Sequence, residues 1–203
     1  MLETTSIIKL ADPLGAASRY AARVTPDEMV GEALAVAAAG LAAGEQPIGA
    51  VVVLGDEILG SAFTSEKTLG RRLVHADLLA MLDADHKLGW RRRPHPLRLA
   101  VSLEPCVMCL GTAMTLGVRE IYFALESPAD GGAAIAAQRR GHPEPSWFAT
   151  PAVTGGIRRE ESRDLFRRWC TTAPPGPMRD WAESLLGPRD PSPNGQAKAA
   201  RAP

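Results

Sequence analysis

Two short segments constrain this chain more than anything else in it: V-H-A-D at residues 74–77 and E-P-C-V-M-C at 104–109. A histidine and a C-x-x-C pair are nitrogen and sulfur donors, the set that zinc binds in tetrahedral geometry. For His75, Cys106 and Cys109 to share one ion, segments 31 residues apart must meet in space. Each segment lies where a helix is expected to begin. A C-x-x-C in a first turn lets both sulfurs face one point, and the helix dipole favours thiolates there. The two helix starts can then converge on one ion. Three protein ligands leave a fourth position for water, as catalytic zinc sites do. Two other readings stay open on these residues alone. A C-x-x-C after a strand also marks thioredoxin-like redox pairs, though the strand order here suits them poorly. A closed structural zinc site would need a fourth ligand from His86, His95 or His142.

The rest of the chain supplies elements for such a meeting. Thr25, Pro26 and Glu28 read as N-cap, first helical position and capping-box partner. Met29, Ala33, Leu34, Ala37 and Leu41 then recur at helical spacing, and Gly44 suits the helix end. Two apolar runs flank Gly55-Asp56 as a tight hairpin. Residues 64–73 are polar and read as a loop. Residues 74–88 form a second helix, "LRLAVSLE" a buried strand, 106–116 a third helix and "VREIYFAL" the next strand. This order implies a sheet with helices packed across it. Residues 126–156 are a long Gly-, Ala- and Pro-rich connection, expected as an insertion or lid, with a short helix over 129–140. Trp147 and Phe148 within it are candidates to stack on a flat ring. Residues 157–170 form a last long helix, and a segment around Trp181–Leu186 packs back.

The division expected is an arm at 1–24, a domain at 25–170, an extension at 171–187 and a disordered tail at 188–203, too polar to order itself. Charge balances at zero over 203 residues, so nothing global points to nucleic acid or an anionic membrane. Three cysteines make no disulfide framework, and Cys170 reads as a packing residue; a reducing cytoplasm is the simpler setting. No apolar run is long enough to span a membrane, and the first residues lack the pattern of a secretory leader.

H-A-D at 75–77 with E-P-C-V-M-C at 104–109 resembles the cytidine deaminase-like zinc deaminases, whose pattern is H-x-E…P-C-x-x-C. "PIGAVVV" at 47–53 and "SLEPCVMCLGTAMTLGVREIYFAL" at 102–125 are similar to the branch of tRNA adenosine, guanine and cytosine deaminases. The resemblance covers roughly residues 25–170. It implies an α/β fold of three α-β-α layers with a mixed five-stranded sheet, and a homodimer. It also implies Zn2+ on His75, Cys106 and Cys109, and hydrolytic removal of an exocyclic amine from an aromatic ring, with water activated by zinc. Asp77 then takes the place of the proton-carrying acid.

Three departures from that pattern bear on function. Asp77 stands where the family has glutamate, shorter in reach by roughly 1.5 Å. Thr64 stands where the family usually has a substrate-touching asparagine, and it lacks the amide's donor and acceptor pair. The 126–156 connection is the third. The expected substrate contacts are Thr64, Ala76, Trp147 and Phe148. The leading expectation is a deaminase of a small purine, nucleoside or related amino-heterocycle. A tRNA adenosine deaminase is the first alternative, with Arg91–Arg93 and Arg159, Arg163 and Arg167 as candidate phosphate contacts. Glu160, Glu161 and Asp164 interleave with the latter, as on a solvated face. A non-catalytic zinc-binding partner subunit, with Asp77 only capping its helix, is the second.

Overall fold

The computed structural model describes residues 24–90, 93–145 and 148–187. The arm before Val24, Arg91–Arg92, Trp147 and the tail after Gly187 lie outside the described residues. Helix α1 (Pro26–Ala42) begins on the expected capping box. The Glu28 N–H donates to the Thr25 hydroxyl (3.2 Å), and the Thr25 N–H donates to the Glu28 carboxylate (2.8 Å). Strands β1 (Gly49–Leu54) and β2 (Glu57–Phe63) form the hairpin about Gly55-Asp56. The next stretch, read as loop, contains a single helical turn, α2 (Glu66–Leu69). Then follow α3 (Ala76–Leu88), β3 (Leu97–Leu103), α4 (Val107–Leu116) and β4 (Val118–Leu125). After them come α5 (Ala133–Arg139), β5 (Ala152–Thr154), α6 (Arg159–Thr172) and α7 (Pro177–Ser184).

The five strands make one mixed sheet in the order β2-β1-β3-β4-β5. β1 runs antiparallel to β2 and β3, while β3, β4 and β5 are parallel. The period of two in a strand decides which layer each side chain joins. Ala50, Val52, Leu97, Leu99 and Val101 pack with α3 and α4, whereas Val51, Val53 and Ala100 pack with α1 and Leu165 of α6. The result is the three-layer α-β-α arrangement expected from the resemblance. No helix of the described residues is long and apolar enough to cross a membrane.

Two glycines let helices lie this close to the sheet. A Cβ at Gly49 would overlap the Ala33 carbonyl and the Ala37 N–H of α1, and one at Gly60 would overlap the Ala80 carbonyl of α3. Both obstacles are backbone, which cannot rotate away. Gly60→Ala is therefore expected to destabilise the domain by about 1–3 kcal/mol, the usual range for an overpacked core. A lower denaturant midpoint at unchanged slope would show it.

The 126–156 connection, read as an insertion or lid, carries structure of its own. It carries α5 and the edge strand β5, and it is fastened to the cysteine loop. Glu104 accepts the N–H groups of Ser127 (3.0 Å) and Ala133 (2.9 Å). Gly132 N–H reaches the Pro105 carbonyl (2.8 Å). At the same end of the sheet, Leu103, Leu125, Phe166, Ala182 and Leu185 form a small core, and Trp181 meets Phe166 edge to face at 6.0 Å. This core sets α7 beside the carboxyl ends of β3 and β4.

Candidate metal centre

His75 is the N-cap of α3 and Cys106 the N-cap of α4, so the two helix starts converge at this end of the sheet. Cys109 sits in the first turn of α4, fully buried. The donor atoms of His75, Cys106 and Cys109 all lie within 4.8 Å of one another. His75 Nδ1 is 3.6 Å from Cys106 Sγ and 3.7 Å from Cys109 Sγ. A tetrahedral zinc with Zn–N near 2.0 Å and Zn–S near 2.3 Å requires N···S edges of about 3.6 Å. The three residues thus fit zinc in type and in spacing.

The donors also bias one another's charge. Cys106 is drawn down to about 4, chiefly by hydrogen bonding with Cys109 and then by His75. His75 is raised to about 9, chiefly by the Cys106 sulfur. Cys109 is pushed upward by that same sulfur and by burial. Among the described residues no fourth histidine, cysteine or carboxylate joins the group. His86 and His142 are exposed, and the His95 ring lies against Gly55. The closed-site reading is therefore not what the fold builds.

Asp77, only 4% exposed, lies on the wall of a cavity of about 390 Å³ that opens onto His75 and Cys106. Burial lifts its carboxyl above the usual carboxylate range, while the Cys109 side chain pulls the other way. Its Oδ1 accepts the Leu78 N–H at 3.2 Å.

The sequence of residues 25–125 matches the pattern of the cytidine and deoxycytidylate deaminase zinc-binding region. The tRNA-specific adenosine deaminase of Agrobacterium fabrum is 30% identical over 125 residues, covering 62% of this chain and 80% of that protein. The chain belongs to the zinc deaminase family. The Bacillus subtilis tRNA-specific adenosine deaminase is 36% identical over 110 residues, 53% of this chain and 67% of that one. A tRNA(Ile)-lysidine synthase of Deinococcus deserti is 34% identical over 143 residues, which are 70% of this chain but only 26% of the synthase. Among solved structures, a tRNA:A34 deaminase superposes with a TM-score of 0.58 at 27% identity, over 68% of this chain and 97% of that one. A guanine deaminase from Nitrosomonas europaea shares the fold with a TM-score of 0.57 at 22% identity, over 82% and 98%.

Within this zinc deaminase site, Thr64 and Ala76 line the cavity with Asp77. Thr64 is 1% exposed, and its hydroxyl lies 3.3 Å from both the Val74 carbonyl and the Glu66 carboxylate. Phe148, read as a candidate to stack on a ring, sits apart from the cavity wall that Thr64 and Ala76 share. It packs against the core of α3 and α4, under the Arg139 guanidinium at 5.6 Å, and is not part of the cavity lining. Its neighbour Trp147 lies outside the described residues. The aromatic wall comes from Trp181 of α7, with Pro177 and Met178 beside it. Sequence reasoning expected that segment to pack back but gave it no place at the site. Glu66 and Glu104, which also line the cavity, were missed. The glutamate of E-P-C was in view as a motif letter, and nothing in the polar run around Glu66 marked it.

Proposed function

We propose that the chain is a zinc-dependent hydrolytic deaminase acting on a small, unphosphorylated purine, nucleoside or related amino-heterocycle. One observation carries this reading: the character of the cavity in front of the metal triad. Ile48, Val101, Leu103 and Trp181 supply apolar walls for a flat ring. Its volume of about 390 Å³ lies in the range of small-molecule sites. Its charged lining is Glu66, Asp77, Glu104 and Asp130 around His75, and no Lys or Arg is among the described lining residues. A phosphate on the substrate would meet these carboxylates with no Lys or Arg among the described lining residues to offset them.

His75, Cys106 and Cys109 would hold the metal. When bound, zinc lowers the pKa of a coordinated water toward about 7. The apolar cavity walls would hold a flat ring in front of the metal triad. Asp77 takes one proton from the water and passes it to a ring nitrogen. Overall, one water would supply the oxygen that replaces the amine, one proton to the ring nitrogen and one to the departing ammonia. Burial of Asp77 keeps this proton traffic away from bulk solvent.

A tRNA adenosine deaminase is the second reading, favoured by the names of the Agrobacterium and Bacillus relatives. The helix arginines that would serve it are engaged. Arg159 pairs with Glu126, Arg163 with Glu160, and Arg167 with Asp164. The two readings separate on kcat/KM for ammonia release from a nucleoside, its 5′-monophosphate and an anticodon stem-loop. We expect the nucleoside to be favoured at least about tenfold over its monophosphate, the size of one missing favourable contact. Release from the stem-loop alone would establish the second reading instead.

A further inference from the structure

We propose that Glu66, held by Thr64, is the positioning residue for His75. Its carboxylate takes the Nε2–H of the imidazole and leaves Nδ1, unprotonated, for the metal. The inference rests on the metal triad and not on which ring is deaminated.

An imidazole that ligates through one nitrogen carries a proton on the other, and that proton needs an acceptor. In His75 the two nitrogens face different groups. Nδ1 faces the sulfurs at 3.6 and 3.7 Å, and Nε2 lies 3.8 Å from Glu66 Oε1. Both side chains are largely shielded, His75 being 29% and Glu66 25% exposed. A small closure of that gap makes a charge-assisted hydrogen bond.

Glu66 does not stand on a loose loop. Its other oxygen, Oε2, is 3.3 Å from the Thr64 hydroxyl. Thr64 N–H donates to the Ile48 carbonyl (3.0 Å) and Ser65 N–H to the carbonyl of Val74, the residue before His75 (3.1 Å). The turn that bears Glu66 is tied from the other side by Glu45, 1% exposed, which accepts the N–H groups of Lys67 (3.1 Å) and Thr68 (2.6 Å). The Lys67 ammonium reaches the Gly44 carbonyl at 2.9 Å. The carboxylate is thus fixed to the backbone that precedes β1 and to the backbone that precedes His75. This gives the unusual threonine a task. A side chain with a single hydroxyl cannot replace an amide toward a ring, but it can anchor a neighbouring carboxylate.

The test reads metal binding, with no substrate present. Zinc affinity is measured by competition with a chromophoric chelator, and the ligand field by the absorption of the Co2+-substituted protein. Glu66→Ala is expected to weaken zinc binding by about 10–100-fold and to alter the Co2+ bands. Glu66→Gln, whose amide oxygen still accepts Nε2–H, is expected to recover most of that affinity. Thr64→Val is expected to fall between the wild type and Glu66→Ala. Unchanged zinc affinity and Co2+ bands in a folded Glu66→Ala protein would overturn the proposal, even if its preference among rings changed. Should Glu66→Ala fail to fold, Thr64→Val decides, and wild-type affinity and bands there would overturn it equally. A wild-type protein that releases no ammonia while Glu66→Ala loses zinc would sink the functional reading and leave this one standing.

Discussion

Asp77→Asn is expected to slow ammonia release by about 10²–10⁴-fold while zinc binding remains stoichiometric. Asparagine keeps the shape of aspartate and can still accept the Leu78 N–H, so the start of α3 should survive. What it cannot do is take a proton from water and return it to a ring nitrogen. The other carboxylates on the cavity wall are committed elsewhere, Asp130 to the Ser127 hydroxyl. Glu104 has its carboxylate engaged by the Ser127 and Ala133 N–H groups. Glu66 lies on the Nε2 side of His75, away from the sulfurs. Asp77→Glu is expected to lower the rate as well, by about tenfold or more, because one extra methylene in a residue 4% exposed moves the carboxylate by over an ångström. Zinc content and single-turnover rates of the three proteins check both statements. An Asp77→Asn protein as fast as wild type would remove Asp77 from the chemistry.

Cys109→Ser is expected to abolish zinc retention on dialysis and, with it, all ammonia release. The serine oxygen is smaller than sulfur, sits short of the tetrahedral position, and stays protonated at neutral pH. No other thiolate stands ready to take the place of Cys109, since Cys106 is already a donor and Cys170 packs in the core of α6 and α7. Stability should report the same loss. A ligand present at a thousand times its Kd stabilises the fold that binds it by about 4 kcal/mol. Chelation should therefore lower the Tm of the wild type and leave that of Cys109→Ser unmoved. Equal chelator shifts in both would mean that the stabilising metal is held elsewhere.

The parts legible in the sequence are those set by local spacing. C-x-x-C in a first turn and His75 at a helix start leave one geometry in which three donors converge, and the fold adopts it. The capping box of α1 and the hairpin at Gly55-Asp56 follow the same rule, because each is written within a few residues. What was illegible depends on contacts between distant segments. β5 is three residues long with an exposed-intermediate-exposed pattern, too brief for any period to show. Trp181 reaches the cavity because Phe166, Leu103 and Leu125 hold α7 there, a relation no stretch of sequence contains. The packing of Phe148 against the core of α3 and α4 is likewise a contact that no local pattern announces. Glu66 was hidden in a polar run whose meaning comes only from the position of His75.

The most direct measurement is ammonia release by the zinc-loaded protein from a panel of guanine, adenine, cytosine, 2,6-diaminopurine, their nucleosides, pterins, amino-triazines and a tRNA anticodon stem-loop, with Asp77→Asn alongside. Release from at least one small ring, lost in the variant, is the expected result. Silence on every small ring from a protein that holds its zinc, or release that Asp77→Asn leaves intact, would contradict it.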